Sequence, residues 1–258
     1  MDEQNVSSRC GLVLLHGESV IHYHGAAGAS YKFIASVFVG RHLFVSYEQP
    51  NTIENVADIC STFAIDNGAF SAWKQGKPYD FDGFGQYVEK WQKHPAYHFH
   101  IIPDIIDGTE DDNRKLIASW TLDGVPVWHM HESIGWFDEL CHQFSFVAIG
   151  SSAQYSSVGT SKWWHRINEA LTAICDEDGR PPCRLHGLRM MNIAVFTKIP
   201  FHSVDSTVAI YDSQYDVNWS ARNAPKPRHL RGLVIADRIE SFQSAPTWTP
   251  QPIQRGLF

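Results

Sequence analysis

Strand-like and helix-like segments alternate at least six times along this chain, with no Gly/Ser linker between them. Most of the strand-like runs are nearly continuous in apolar character at their starts, as in a parallel sheet covered on both faces. With 258 residues, 43% of them hydrophobic, the chain can bury one large core. Together these observations predict an α/β fold: a single-domain (β/α)8 TIM-type barrel over residues 1–258, irregular at its closing strand. A doubly wound open sheet is the rival. It would carry a Gly-rich phosphate loop after its first strand, and "HGAAGAS" (24–30) is not in the GxGxxG frame.

The strands read in order as "HLFVSYE" (42–48), "TFAIDNGAF" (62–70), "HFHIIPDII" (98–106), "VPVWHMH" (125–131), "FSFVAIGSS" (144–152), "RLHGLRM" (184–190) and "HSVDSTV" (202–208). Either "GLVLLHG" (11–17) or "RGLVIAD" (231–237) supplies the eighth. Between them, "DFDGFGQYVEKWQKH" (80–94) puts Phe84, Tyr87, Val88 and Trp91 on one helical face. "TEDDNRKLIASW" (109–120) opens on Thr109 with acids in its first turn, a good helix start. "SIGWFDELCHQ" (133–143) and "SKWWHRINEALTAIC" (161–175) follow the same habit, and 192–198 forms a short helix. Residues 212–258 read as a C-terminal extension with a basic loop.

The formal charge of −7 excludes a basic clamp that grips nucleic acid by net charge alone, though a local basic patch can coexist with it. Cys10, Cys60, Cys141, Cys175 and Cys183 are odd in number and form no CxxC, which predicts a reduced intracellular protein. The start "MDEQNVSSRC" lacks a signal pattern and no apolar run approaches the ~20 residues of a membrane span. The expectation is a cytoplasmic protein without a membrane partner.

Asp66, Asp104, His129, His131, Gly150, Ser151, His186 and Asp205 all fall at or just beyond strand C-termini. In a barrel those ends share one rim, where barrel active sites sit. "AIDNGAFSAW" (64–73) gives Asp66, a small turn, then Phe70, which would stack on a flat ligand; the plainer reading is a capping acid and a core Phe. Asp104 sits inside an apolar run and can accept two ring N–H bonds, whereas Asp107, Glu110, Asp111 and Asp112 read as a helix-start cluster. His129 and His131 share a strand face by the period of two, and with His186 and Asp205 would suit a metal-dependent barrel hydrolase; His22/His24 and His98/His100 are similar pairs. The turn at Gly150 and Ser151 exposes backbone for reading a base edge, or is a tight serine-capped turn. Asp205 in "HSVDST" (202–207) can attack a sugar C1′ and form a covalent intermediate, with Asp66 handling protons; alternatively it bonds Ser203 or Ser206 in a structural turn. "SARNAPKPRHLR" (220–231) carries Arg222, Lys226, Arg228, His229 and Arg231 without an acid, a phosphate-contacting or merely solvated loop.

Taken in order over about residues 60 to 210, these motifs resemble the tRNA-guanine transglycosylase superfamily, including its compact, phage-type branch that modifies DNA with 7-deazaguanines. "DNGAF" (66–70) looks like its Asp-Ser-Gly-Gly-aromatic motif, and "IIPDIIDG" like the strand holding its base-recognising Asp. "VAIGSSAQY" is similar to its Gly-Gly-Leu-Ala-Val-Gly turn, and "RLHGLRMMNIAVFTKIPFHSVDST" to the stretch leading to its nucleophilic Asp. The resemblance implies exchange of guanine in a nucleic acid for a 7-deazaguanine such as preQ0 or a derivative, with no cofactor. It makes Asp205 the nucleophile and Asp66 the general base. Asp104 grips the base edge, Gly150 and Ser151 read its amide side, and Phe70 stacks. His186 stands where the family usually has a stacking Met, and His129 or His131 where it has a Gln. No Cys follows Cys183, so the family's zinc site after the nucleophile strand has no ligands and no metal is expected. That departure favours DNA over tRNA, in the host cytoplasm if the chain is phage-encoded. Arg222, Lys226, Arg228 and Arg231 would hold the polymer, and a homodimer is an open alternative, as is a non-catalytic binder of a modified base or strand.

Overall fold

The computed structural model describes residues 19–26, 28–215 and 225–250. Eight parallel strands form one sheet in the order β4-β3-β2-β1-β8-β7-β6-β5. They are β1 (Ile21–Gly25), β2 (His42–Ser46), β3 (Thr62–Asp66), β4 (Tyr97–His100), β5 (Val127–His129), β6 (Phe146–Gly150), β7 (Arg184–Leu188) and β8 (Ser203–Ser206). Helices fill the connections: α1 (Tyr31–Val37), α2 (Thr52–Val56), α3 (Ala69–Lys74), α4 (Phe81–Trp91), α5 (Glu110–Ser119) and α6 (Ile134–Gln143). They continue with α7 (Ser161–Ile174), α8 (Ile193–Phe196), α9 (Val208–Asp212) and α10 (Arg228–Glu240). The architecture is α/β and TIM-like.

Side chains alternate across the sheet with the strand period of two. Tyr23, Phe44, Ala64, Phe99, Ile101, Val125, Val127, Phe146 and Ala148 gather into one cluster on the concave face. Their neighbours, among them Leu43, Val45, Phe63 and Ile65 in one half and Trp128, Val147, Leu185 and Val204 in the other, pack under the helices. Caps follow the sequence closely. Thr109 and Asp112 form a capping box on α5, while Ser133 and Thr160 accept N–H bonds at the starts of α6 and α7.

Closure differs from a full ring. The end strands β4 and β5 share a single parallel bridge, Ile101 to Val125, instead of a ladder. The Ile102 carbonyl, next in line for that ladder, accepts the Asn67 side-chain amide at 2.8 Å, and Pro103 follows it with no N–H to offer.

The eighth strand is "IHYHG", which neither candidate supplied. Residues 11–17 lie outside the described residues, and 231–237 belong to α10. In "RGLVIAD" the buried positions Gly232 and Ala236, with Ile239 beyond, follow helical spacing, so the apolar run packs as one helix face. The His22/His24 pair faces the helices: His24 Nε2 meets Glu240 at 2.9 Å and stacks on Phe38, while His22 packs edge-on against Phe196. A register shift beside β4 splits His98 and His100 between the two faces, the first toward Tyr23 and the second toward Trp120.

The C-terminal segment is no appended extension either, since α10 packs against α1, α9 and β1. Arg228 and Arg231, read as free phosphate contacts, are structural donors. Arg228 Nη2 donates to the Ile210 carbonyl at 3.1 Å and its guanidinium lies 4.6 Å over the Phe33 ring. Arg231 donates to the carbonyls of Ser213, Pro225 and Lys226. The bonds to Ile210 and Ser213 engage carbonyls at the end of α9, and those to Pro225 and Lys226 hold the approach to α10. Of the basic group, Lys226 remains exposed and Arg222 lies outside the described residues. Among the described residues, no helix is long and apolar enough to cross a membrane.

Replacing Arg228 by Ala is expected to lower stability by roughly 1 kcal/mol in urea unfolding, through loss of one donor to the Ile210 carbonyl, which the Ser213 hydroxyl still serves, and of the guanidinium contact over Phe33. Unchanged stability, together with weakened DNA binding, would restore the phosphate-contact reading.

Candidate active site

The strand C-termini bring three acids to one mouth. Asp66 ends β3, Asp205 lies in β8, and Asp104 follows Pro103 just beyond β4. Each has a different environment.

Asp205 is recessed, with 5% of its surface exposed. Its Oδ1 accepts the backbone N–H of Arg189 at 2.8 Å, and His186 Nε2 lies 3.3 Å away. Ser203 Oγ sits 2.7 Å from His186 Nδ1, so the hydroxyl donates to Nδ1 when Nε2–H faces the acid. No hydrogen bond among the described residues engages Asp205 Oδ2. His186 itself is fully buried, flanked by Tyr23, Phe44, Phe99 and Phe146. It therefore orients the acid from beneath and does not line the slot, unlike the substrate-binding position expected for it. The plainer expectation for Asp205, a turn bonded to Ser203 or Ser206, is also not what forms: Ser203 bonds His186, and Ser206 Oγ accepts from Val208 N.

Asp104 is held from both sides. Its Oδ1 accepts Asn67 Nδ2 at 2.7 Å, and its Oδ2 accepts His129 Nε2–H at 2.8 Å. His129 is in turn clasped by Glu132, whose Oε2 accepts the His129 backbone N–H and whose Oε1 lies 3.5 Å from Nδ1. Burial works against a charged ring here, but the bonds and charges of Asp104 and Glu132 outweigh it and push His129 up to about 10. The imidazole is thus a cation at neutral pH, unlike a neutral metal ligand. His131 looks elsewhere, with Nδ1 2.8 Å from Ser152 Oγ, so the two imidazoles do not converge on one point. No group of three or more His, Cys, Asp or Glu among the described residues is disposed to hold a metal ion.

Asp66 is half-buried and has the least compensation. Burial drives its pKa up, opposed by the nearby Arg189 charge and raised further by Asp205, with the result at about 6. The Ser46 hydroxyl and Asp104 act more weakly, in opposite directions. These influences place Arg189, Asp205 and Asp104 within electrostatic reach of Asp66. The turn after Asp66 depends on Gly68, whose φ of 77° is left-handed and whose Cβ, if present, would meet the Glu48 backbone nitrogen at 3.0 Å. Asn67 Oδ1 then accepts Ala69 N–H and starts α3. That helix carries Phe70 to the rim with 38% exposure, and the Arg189 guanidinium lies 4.5 Å over its ring.

Gly150 ends β6, and a Cβ there would meet Val127 at 3.1 Å and His129 at 3.6 Å. Its carbonyl accepts Met130 N–H at 3.0 Å, and Ser151 Oγ accepts Trp163 Nε1–H at 2.9 Å, so part of the polar surface of this turn is already engaged. A cleft of about 330 Å³ flanks the mouth, lined by Tyr47, Glu48, Asn67, Gly68 and Tyr79 among others. A larger one, about 570 Å³, lies on the outer wall between α4 and α5, away from the acids.

The sequence reading missed Asn67, Glu132 and Arg189. Each lies in or directly beside a quoted motif: Asn67 next to Asp66, Glu132 three residues after His129, and Arg189 just past the end of β7. A charged residue directly after a strand end was the available signal for Arg189.

Comparison with known proteins adds little. No family model matches the chain, and no characterised protein matches it in sequence. Among solved structures, the X-ray crystal structure of the YdjI aldolase from Escherichia coli K12 aligns with 87% of this chain and 90% of that one, at 8% identity and a TM-score of 0.33. A likeness of that degree carries no argument about what this chain does.

Because its folded pKa is raised, protonated Asp66 favours the fold, and that contribution is lost as pH rises through about 6. Asp66→Asn is therefore expected to stabilise the protein by about 2 kcal/mol at pH 8 and by almost nothing at pH 3, seen as a higher melting temperature only at the higher pH. A variant less stable than wild type at pH 8 would contradict the assignment.

Proposed function

We propose that this protein is a base-exchange glycosyltransferase, replacing guanine in a nucleic acid, DNA in preference to tRNA, by a 7-deazaguanine. The observation that carries the reading is the division between two acids at one mouth: Asp66, with a pKa of about 6, and Asp205, held by a backbone N–H, with Oδ2 free of hydrogen bonds among the described residues.

The steps balance without a cofactor. Oδ2 of Asp205 attacks C1′ as the C1′–N9 bond breaks, giving a glycosyl-enzyme. Protonated Asp66 gives its proton to the departing guanine and becomes a carboxylate. The incoming base enters the same slot and transfers its ring N–H proton to Asp66. Its nitrogen then attacks C1′, and the Asp205 carboxylate leaves. Asp66 ends as it began. A pKa near neutrality suits a group that must both release and accept a proton in each cycle.

Asp104, preset by Asn67 and by the His129 cation, would accept a base N–H with remaining lone pairs, and Phe70 offers a ring face to the base. The recessed position of Asp205 requires the target nucleotide to leave the stack before reaction. The preference for DNA rests on the sequence resemblance and the absent Cys ligands, not on the basic segment.

Incubation with DNA or tRNA and isotopically labelled guanine tests this directly. Wild type is expected to transfer label into DNA, and Asp205→Asn to lose at least about a thousandfold in rate, as for removal of other covalent nucleophiles. Label in neither polymer, or full activity in Asp205→Asn, would end the proposal.

A further inference from the structure

Arg189 does two things at once. Its backbone is left-handed, with φ 57°, a conformation that is uncommon and strained for a residue with a side chain. That conformation aims the N–H at Asp205 Oδ1, 2.8 Å away, and fixes the root of the side chain beside the acid. The side chain then crosses the mouth from β7 to α3, and its guanidinium settles 4.5 Å over Phe70. Arg189 is exposed, and among the described residues it forms no ion pair and no side-chain hydrogen bond. Arg166, Arg228 and Arg231, by contrast, spend their guanidinium donors on backbone carbonyls.

An exposed guanidinium stacked on an aromatic ring is held in place while its in-plane N–H donors stay open, and that fork matches the oxygens of a phosphate. The location suits it. The acids at this mouth repel an anionic ligand, and Arg189 is an exposed cation rooted beside Asp205 whose charge also reaches Asp66. A nucleotide whose C1′ faces Asp205 carries its phosphate one sugar width away, toward the rim where Arg189 ends.

We infer that Arg189 is a specificity residue that binds the phosphate next to the sugar in the slot, so that the site takes phosphorylated nucleotides in preference to nucleosides. The inference rests on the base-exchange reading of the same site and adds to it the residue that recognises the phosphate beside the target sugar. The competing role, a counter-charge for Asp66 alone, makes a different forecast.

The test is equilibrium titration at low salt with 2′-deoxyguanosine and with 2′-deoxyguanosine 5′-monophosphate as probes. Wild type is expected to bind the nucleotide roughly tenfold more tightly than the nucleoside, a ratio that shrinks as salt is added. In Arg189→Met the ratio is expected to fall to about one, and in Arg189→Lys, which keeps charge but loses the planar fork, to lie between. The ratio is internally controlled: any general loss from disturbing Asp205 or the fold affects both probes. Equal affinities in wild type, or a tenfold ratio that survives in Arg189→Met, overturn the phosphate assignment while leaving the base slot intact. Binding of neither probe by wild type removes the base-slot reading, and the phosphate assignment falls with it.

Discussion

Three carboxyl groups at one rim repel each other, and the site is organised around that repulsion. Asp104 is relieved by the His129 imidazolium, itself anchored by buried Glu132. Asp205 is relieved by an aimed backbone N–H and by His186 from below. Asp66 is lifted first by burial and then by the charge of Asp205, and the Arg189 charge and the Ser46 hydroxyl offset this only in part. Crowding like charges in a partly dry space is how a fold keeps one carboxyl group protonated near neutrality. The cost is borne by the surrounding network, which is unusually well bonded: Asn67 alone ties together Asp104, the Ile102 carbonyl and the start of α3.

The same network shapes the fold. Asn67 takes the carbonyl that would extend pairing between β4 and β5, so the sheet stays nearly unpaired along that seam. Two edges of the sheet therefore meet where Asp104 leaves one and His129 leaves the other. Two backbone bonds at Val125 join the seam, and the His129–Asp104 ion pair takes over where the ladder stops.

Much of the fold was legible because parallel strands buried on both faces leave a plain mark in the sequence. Runs such as "FVAIG" and "TFAID" are strands where expected, and Thr109 caps α5 as its spacing with Asp112 suggests. The strand "IHYHG" was illegible for a physical reason. Its outward positions are His22 and His24, which reach Phe196 and Glu240 on helices far along the chain and Phe38 at the end of α1, so a buried strand looks polar. "RGLVIAD" misled in the opposite direction, since a short apolar run has no period of its own and tertiary packing decided it. The acids at strand ends were readable because strand direction puts them there. Their partners were not, because Arg189 meets Phe70 from strands that only the curl of the sheet brings together, and Asn67 meets Asp104 through the pairing of β3 with β4, which a single sequence does not show. The basic segment shows the limit of charge counting: Arg228 and Arg231 close the end of α9.

The coupling between Asp66 and Asp205 is the central claim, and carboxyl-carbon NMR titration of Asp66 measures it most directly. In wild type its resonance is expected to titrate near pH 6. In Asp205→Asn the midpoint is expected to move down, though not to the ordinary value near 4, because burial remains. A midpoint near 4 in wild type, or one near 6 that ignores the loss of Asp205, would mean that the two acids do not share a site.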